Sequence, residues 1–294
     1  MGTMEAVTDT YTITDGFSNI RVSGAECDVR LIPSEDASCT VLCRETDRIA
    51  HTVTVKNGTL TVERTDNRKW FEHIGFMWSY WGPIEVNIYL PEIAYENLYV
   101  RTASGKIDIP DGFFFDRAEL DGVSGDIRFM AEVDGELRLK AVSGDIEVSG
   151  TSPETLSVES TSGVVTVNDI AVNAAFACRT VSGTQRINHL TCKNAMINST
   201  SGSVIASDLI ASEHITMEAI SGSLKLTGCD ADTLYLKTVS GGVAGTLCSE
   251  KQFLANTTSG SISVPDTAGG LCEVKTVSGN IHLEVQDTAG HERE

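Results

Sequence analysis

A Ser-Gly pair recurs ten times in this chain at a step of 19 or 20 residues, and no other feature restricts the fold as strongly. The serines are Ser104, Ser124, Ser143, Ser162, Ser182, Ser201, Ser221, Ser240, Ser259 and Ser278. Each is followed by its glycine: Gly105, Gly125, Gly144, Gly163, Gly183, Gly202, Gly222, Gly241, Gly260 and Gly279. A period held this strictly means stacked copies of one structural unit. The step is too short for a strand-helix-strand unit and suits one coil of a β-solenoid.

Aligned on Ser-Gly, the units share twelve columns, as in Leu137-Arg138-Leu139-Lys140-Ala141-Val142-Ser143-Gly144-Asp145-Ile146-Glu147-Val148. Columns one and three are apolar or small, for example Leu98 with Val100, Ile215 with Met217 and Leu234 with Leu236. Column four carries Arg101, Asp121, Lys140, Glu159, Arg179, Asn198, Glu218, Lys237, Asn256 and Lys275, which must face water, and column five is always small. Beyond the glycine the inward positions become columns ten and twelve, as in Ile107 with Ile109 and Ile281 with Leu283. Side chains alternate strictly along an extended chain, so this change of parity demands a corner or bulge at Ser-Gly. Glycine supplies backbone angles that a Cβ penalises, and the serine is expected to hydrogen-bond backbone or the serine one coil away.

The fold predicted is all-β. It is a single-stranded, right-handed parallel β-solenoid of about ten coils of 19 or 20 residues with strands about 4.8 Å apart, preceded by an N-terminal antiparallel β capping region. The return legs offer Val133, Ile170, Leu190, Leu209, Cys229 and Leu247 as further inward residues. Cys229 and Cys248, one coil apart, are expected to stack inside as a reduced pair. Gln185 in column ten and Gly245 in column twelve break the pattern and predict irregularity in coils five and eight.

Residues 1–97 form the capping region, 98–286 the repeats and 287–294 a polar tail. Apolar residues at odd positions from Cys27 to Leu31 and from Cys39 to Cys43 predict a hairpin across Pro33-Ser34-Glu35-Asp36, in which Cys27 faces Cys43 at disulfide range. Asn57-Gly58 predicts a second, with a type I′ turn placing Val55 opposite Leu60 and Val53 opposite Val62. An aromatic stretch, 68–83, holds all three tryptophans. It reads either as a cap over the open end of the stack or as a partner-binding patch made by Trp70, Phe71, Phe76, Trp78, Tyr80 and Trp81.

Twenty-two Lys and Arg against 41 Asp and Glu give a net charge of −19, which repels phosphate backbones and argues against nucleic acid as a partner. No apolar run of about 18 residues is present. The opening Met1-Gly2-Thr3-Met4 reads as a scar in front of an ectodomain, so an export signal or membrane anchor is expected outside this stretch. The eight cysteines show no zinc spacing, the histidines form no catalytic motif, and no cofactor is indicated. Asp126 and Asp145, in column nine of neighbouring coils, are the one carboxylate pair spaced for glycoside or calcium chemistry, and solvated corner acids are the simpler explanation. The tail leaves the edge of the C-terminal coil open, an expected route to a homo-oligomer.

Asn19-Ile20-Arg21-Val22 with Asp28-Val29-Arg30-Leu31, the aromatic insertion after Arg68-Lys69, Val86-Asn87-Ile88-Tyr89-Leu90-Pro91 and the Ser-Gly-Asp-Ile coils together resemble the bacterial putative-adhesin β-repeat family of unknown function. The resemblance spans residues 10–286. It implies a non-catalytic cell-envelope adhesin-like or scaffold module on the outer face of the cell, binding protein or glycan, with no catalytic residues to carry over. The alternatives are a carbohydrate-active β-helix enzyme and a cytoplasmic self-assembling scaffold.

Overall fold

The structure, a computed structural model, describes residues 7–24, 26–45, 49–66 and 84–286. Among these there is no helix, and the strands form parallel stacked coils with antiparallel strands near the N-terminus. The chain divides into two compact units, Met1–Gly135 with Ala141–Gly144, and Glu136–Lys140 with Asp145–Glu294.

The first unit contains β1 (Val7–Ile13), β2 (Asn19–Gly24), β3 (Asp28–Ser34), β4 (Cys39–Glu45), β5 (Ile49–Lys56), β6 (Thr59–Asp66), β7 (Glu85–Pro91), β8 (Ala94–Ser104) and β9 (Ile107–Ile109). Coil one is β8 with β9. Coil two stacks on it in register, Leu98 opposite Ala118, Val100 opposite Leu120 and Ser104 opposite Ser124. On the other side of coil one lie β2 and β3, with Ile20 opposite Leu98 and Val29 opposite Ile107. These two strands are therefore a coil in which Glu26-Cys27 stands where the repeats carry Ser-Gly. Beyond them β6 and β7 make another, Leu60 opposite Ile20 and Val86 opposite Val29. The first coil in the chain is thus second in the stack.

The Asn57-Gly58 hairpin forms as predicted. Both residues have positive φ, 50° and 72°, and β5 pairs with β6 with Val55 opposite Leu60 and Val53 opposite Val62. The Cys27–Cys43 hairpin does not form. β7 lies between β3 and β4, parallel to one and antiparallel to the other, while β1 pairs with the far edge of β4. A β3–β4 hairpin would take the β3 edge that coil register assigns to β7, and parallel stacking keeps Val29 and Leu31 level with Val86 and Ile88. All eight cysteines are free thiols, so no disulfide joins Cys27 to Cys43.

In the second unit the columns hold their register from Leu156 through Phe176, Ala195, Ile215 and Leu234. The order then changes. Leu234 of coil eight pairs with Cys272 of coil ten, and Cys272 pairs on its far side with Phe253 of coil nine. The second legs follow, Val243 against Ile281 and Ile281 against Ile262. The C-terminal coil is enclosed, and among the described residues the open edge predicted for it belongs to coil nine. One long side chain stitches this order together. Buried Lys251, from coil nine, reaches Asp230 Oδ1 and the carbonyl of Ala231, both at 2.7 Å, across Gly270, whose missing side chain leaves the path clear.

The corner explains the repeat. Columns one, three and five point inward before Ser-Gly and columns ten and twelve after it. At Gly222 φ is 155°, and a Cβ there would fall on the carbonyl oxygen of Gly202 in the coil below; Gly202 stands in the same relation to Gly183, and Gly241 to Gly222. Seven of the corner glycines, Gly105, Gly125, Gly183, Gly202, Gly222, Gly241 and Gly279, in turn donate their N–H to a neighbouring serine carbonyl, as Gly222 does to Ser240 O at 3.0 Å. The serine side chains are exposed. The side-chain bonds expected of them come instead from column five, where Thr238 Oγ1 donates to Gly222 O and Thr276 Oγ1 to Gly241 O, at 3.0 and 3.1 Å. Where column five carries threonine, its hydroxyl thus serves the corner.

A second corner lies in column fourteen, where Asp169, His189 and Asp208 have φ of 50° to 54° and Gly150 and Gly228 also have positive φ. It resets parity so that Ile170, Leu190 and Leu209 turn inward. Gln185 does not disturb its coil: it sits in register between Val165 and Val204, fully buried, with Nε2 donating to Thr180 Oγ1 and Asn198 O. Coil eight is irregular as expected. A bulge between Leu226 and Cys229 is unmatched there, so Leu247 takes the place opposite Cys229 and Cys248 is displaced to partial exposure, out of the predicted stack.

If the glycine and not the serine carries the corner, Gly222→Ala will cost about 3 kcal/mol or more through strain and backbone clash. Ser221→Ala, which removes an exposed hydroxyl, will stay within about 0.5 kcal/mol. Urea unfolding followed by circular dichroism measures both.

Candidate functional site

The acids of column nine serve the corner. Asp145 Oδ1 accepts the backbone N–H of Val164 at 2.7 Å, Asp28 Oδ1 that of Lys106 at 2.8 Å, and Asn280 Oδ1 that of Ser261 at 3.0 Å. Asp126 Oδ2 lies 3.2 Å from Lys106 Nζ. Asp126 and Asp145 fall in different units, and each carboxylate has a partner of its own. Asp28, Asp145 and Asn280 in column nine thus each cap the adjacent coil's corner amide.

A buried polar cluster in the first unit has no sequence signature, because its members come from three strands. Cys43, Glu45 and His51 bring one donor atom each within 4.8 Å of one another, a set that could hold a metal ion. The bonds present describe a closed network. Glu45 Oε1 accepts the backbone N–H of His51 at 2.7 Å, faces His51 Nδ1 at 3.2 Å, and accepts the Tyr11 hydroxyl at 3.4 Å. Burial, reinforced by Glu45, pushes the Cys43 thiol up to about 12, so it stays protonated and poor as a ligand. Burial also lowers the pKa of His51, with Glu45 opposing and the Arg64 guanidinium assisting. His51 Nε2 is buried without a hydrogen bond, so a charged imidazolium would add an unpaired N–H.

On the outer surface of the second unit, Asp169, His189 and Asp208 stack at the second corner, with His189 Nδ1 and Nε2 at 3.2 and 3.3 Å from the two carboxylates. All three are exposed, and they make a solvated ladder of polar side chains.

The broadest feature is the outward face of the first strands. Column six is β-branched in nine of ten coils, and Val181, Ile220, Val239 and Val277 stand 42% to 58% exposed. Beside them run the charges of column four, including a Glu218–Lys237 pair at 3.8 Å. A shallow groove of about 390 Å³ follows these columns, lined by Arg179, Asn198, Glu218, Ile220, Lys237 and Val239 among others. In the sequence column six is a run of valine, isoleucine and threonine, a composition that does not distinguish an outward column from an inward one. The predicted partner-binding residues Trp70, Phe71, Phe76, Trp78, Tyr80 and Trp81 lie outside the described residues.

A family model described as Toastrack DUF4097 matches residues 17–208 and 196–292. The chain belongs to the Toastrack DUF4097 family. Among solved structures, this Toastrack chain is similar to a putative lipid binding protein from Parabacteroides distasonis, with 18% identity, a TM-score of 0.58, and 82% of this chain and 97% of that one covered. A putative adhesin from the same organism matches at 13% identity with a TM-score of 0.54, covering 82% and 98%. A putative adhesin from Bacteroides fragilis matches at 13% with a TM-score of 0.47, covering 96% and 97%. At these identities the likeness is one of fold. No curated protein matches the chain.

The His51 environment sets a pH dependence. Its folded pKa lies below the unfolded value of about 6.5, so the folded state binds fewer protons than the unfolded state just below that pH. The stability contributed by neutral His51 is complete above about pH 6.5 and is lost as pH falls towards the folded pKa. Thermal midpoints between pH 7.5 and 5 will fall more steeply for the wild type than for His51→Gln.

Proposed function

We propose that this Toastrack protein is a non-catalytic, adhesin-like or scaffold module of the cell envelope that recognises a protein or glycan along the outward face of its coils. The observation carrying this reading is the column-six ladder of exposed Val181, Ile220, Val239 and Val277 beside the column-four charges Arg179, Glu218, Lys237 and Lys275. Exposed β-branched residues on a surface this regular are costly to leave bare and suit contact with an extended partner. The charge row beside them supplies specificity. The aromatic stretch between β6 and β7 adds a second contact region, with Trp70, Phe71, Phe76, Trp78, Tyr80 and Trp81 as its anchors.

Against the enzyme alternative, Asp145 of the candidate carboxylate pair caps the Val164 amide through Oδ1. The adhesin description of the Parabacteroides distasonis neighbour with a TM-score of 0.54 supports an envelope location. Among the described residues no helix is long and apolar enough to cross a membrane.

Screening the wild type on a glycan array and on immobilised surface proteins supplies the ligand for the test. Ile220→Asp with Val239→Asp, both at exposed positions, will leave the thermal midpoint within a few degrees and abolish that binding. Binding that survives the double substitution contradicts the assignment of the face.

A further inference from the structure

The strand Lys251–Ser259 of coil nine pairs with coil ten on one side only, and so does its second leg, Ile262–Ser263. Among the described residues no strand covers the other edge. The inward positions of coil nine report the same opening. Phe253 and Ala255 are half-buried and Ile262 is 45% exposed, whereas Leu234 and Leu236 of coil eight and Cys272 and Val274 of coil ten are fully buried. The core therefore ends in an unsealed layer. In the first unit the outermost coil is treated differently: β5 lies antiparallel along β6, and β4 along β7.

Edges exposed to water usually carry charge or proline. This one carries neither from Gln252 to Val264, in a chain of net charge −19. Its one cation, Lys251, is buried against Asp230. The edge is thus a stretch where a second, equally acidic copy meets no charge. It is also self-complementary. Antiparallel pairing centred on Ala255 places Phe253 opposite the partner's Thr257 on the inward side and Leu254 opposite the partner's Asn256 on the outward side. Leu254 is 52% exposed as it stands. Only at the start of the strand is a carbonyl engaged from the following loop, by Thr267 Oγ1 on Lys251 O.

We propose that this edge is the docking site for a second copy of the chain, the two coil-nine strands pairing antiparallel about a two-fold axis. Such a contact is isologous and closed, so it yields dimers and not filaments. One coil of about 20 residues a side matches the size of a standard interface.

Sedimentation velocity across the micromolar range tests the proposal on the 294-residue chain. The wild type will show a monomer–dimer equilibrium. Leu254→Glu with Asn256→Glu sets acid against acid in this register and will raise the dimer dissociation constant at least about tenfold, with an unchanged thermal midpoint. Leu254→Glu with Asn256→Lys sets opposite charges across the axis and will restore dimers. A parallel register predicts no such rescue, since like charges would then face each other, so failure of rescue overturns the proposed pairing. A wild type that stays monomeric throughout, as a segment of the same chain lying on the edge would produce, overturns it as well. So does a dimer indifferent to both double substitutions.

Discussion

Contact between one coil's corner glycine and the carbonyl of the next is the constraint on which the fold depends. Two strands can keep their apolar sides inward only if the chain changes parity between them, and the change has to occupy the same place in every coil. At Gly222 and Gly241 the neighbouring carbonyl occupies the space a Cβ would need. Stacking at strand spacing and a side chain at this position are therefore incompatible. The glycine amide bonds the neighbouring serine carbonyl, and column five adds a hydroxyl where it carries threonine, as Thr238 and Thr276 do. Column nine adds a carboxylate or amide, as Asp145 and Asn280 do. A corner satisfied from three directions leaves few backbone groups unpaired.

Because all coils offer the same corner, a coil can seat on any other, and chain order need not equal stack order. The protein uses this freedom in both units. In the first, β2 with β3 lie between coil one and the coil of β6 with β7. In the second, coil ten lies between coils eight and nine. Each of these terminal coils gains two neighbours instead of one, and a coil with ladders on both edges frays less than one with a single ladder. The Lys251–Asp230 bridge over Gly270 makes this order specific in the second unit, since it requires a glycine at that point in the intervening coil.

The period, the parity switch and the inward columns were legible because they depend on local chemistry repeated ten times. Stack order was not, because pairing partners are chosen among near-identical edges. The coil of β2 and β3 was hidden because Glu26-Cys27 occupies its corner and its own Ser23-Gly24 falls three residues earlier, although Ile20 and Val29 have the same nine-residue spacing as Leu98 and Ile107. The expected Cys27–Cys43 hairpin followed a sound local pattern that long-range register overrode. Serine was given the role that column five performs: a hydroxyl beside glycine looks available, but at this corner it points to solvent. The Glu45–His51–Tyr11 network joins two residues of one local segment to a tyrosine more than thirty positions away, and no spacing announces it. The exposed faces were harder still, since a solvated column obeys no packing rule, and the candidate surface emerged only when column six was seen outside.

The separation of stack order from chain order is the claim most open to direct attack. Neighbouring strands lie about 4.8 Å apart, within disulfide reach, and next-but-one strands about twice that, outside it. With Lys237→Cys and Lys275→Cys together, oxidation followed by mass spectrometry of the monomer should find an intramolecular disulfide. With Lys237→Cys and Asn256→Cys it should find none. A bridge between positions 237 and 256, and none between 237 and 275, would show that coils eight, nine and ten stack in chain order and would contradict the account.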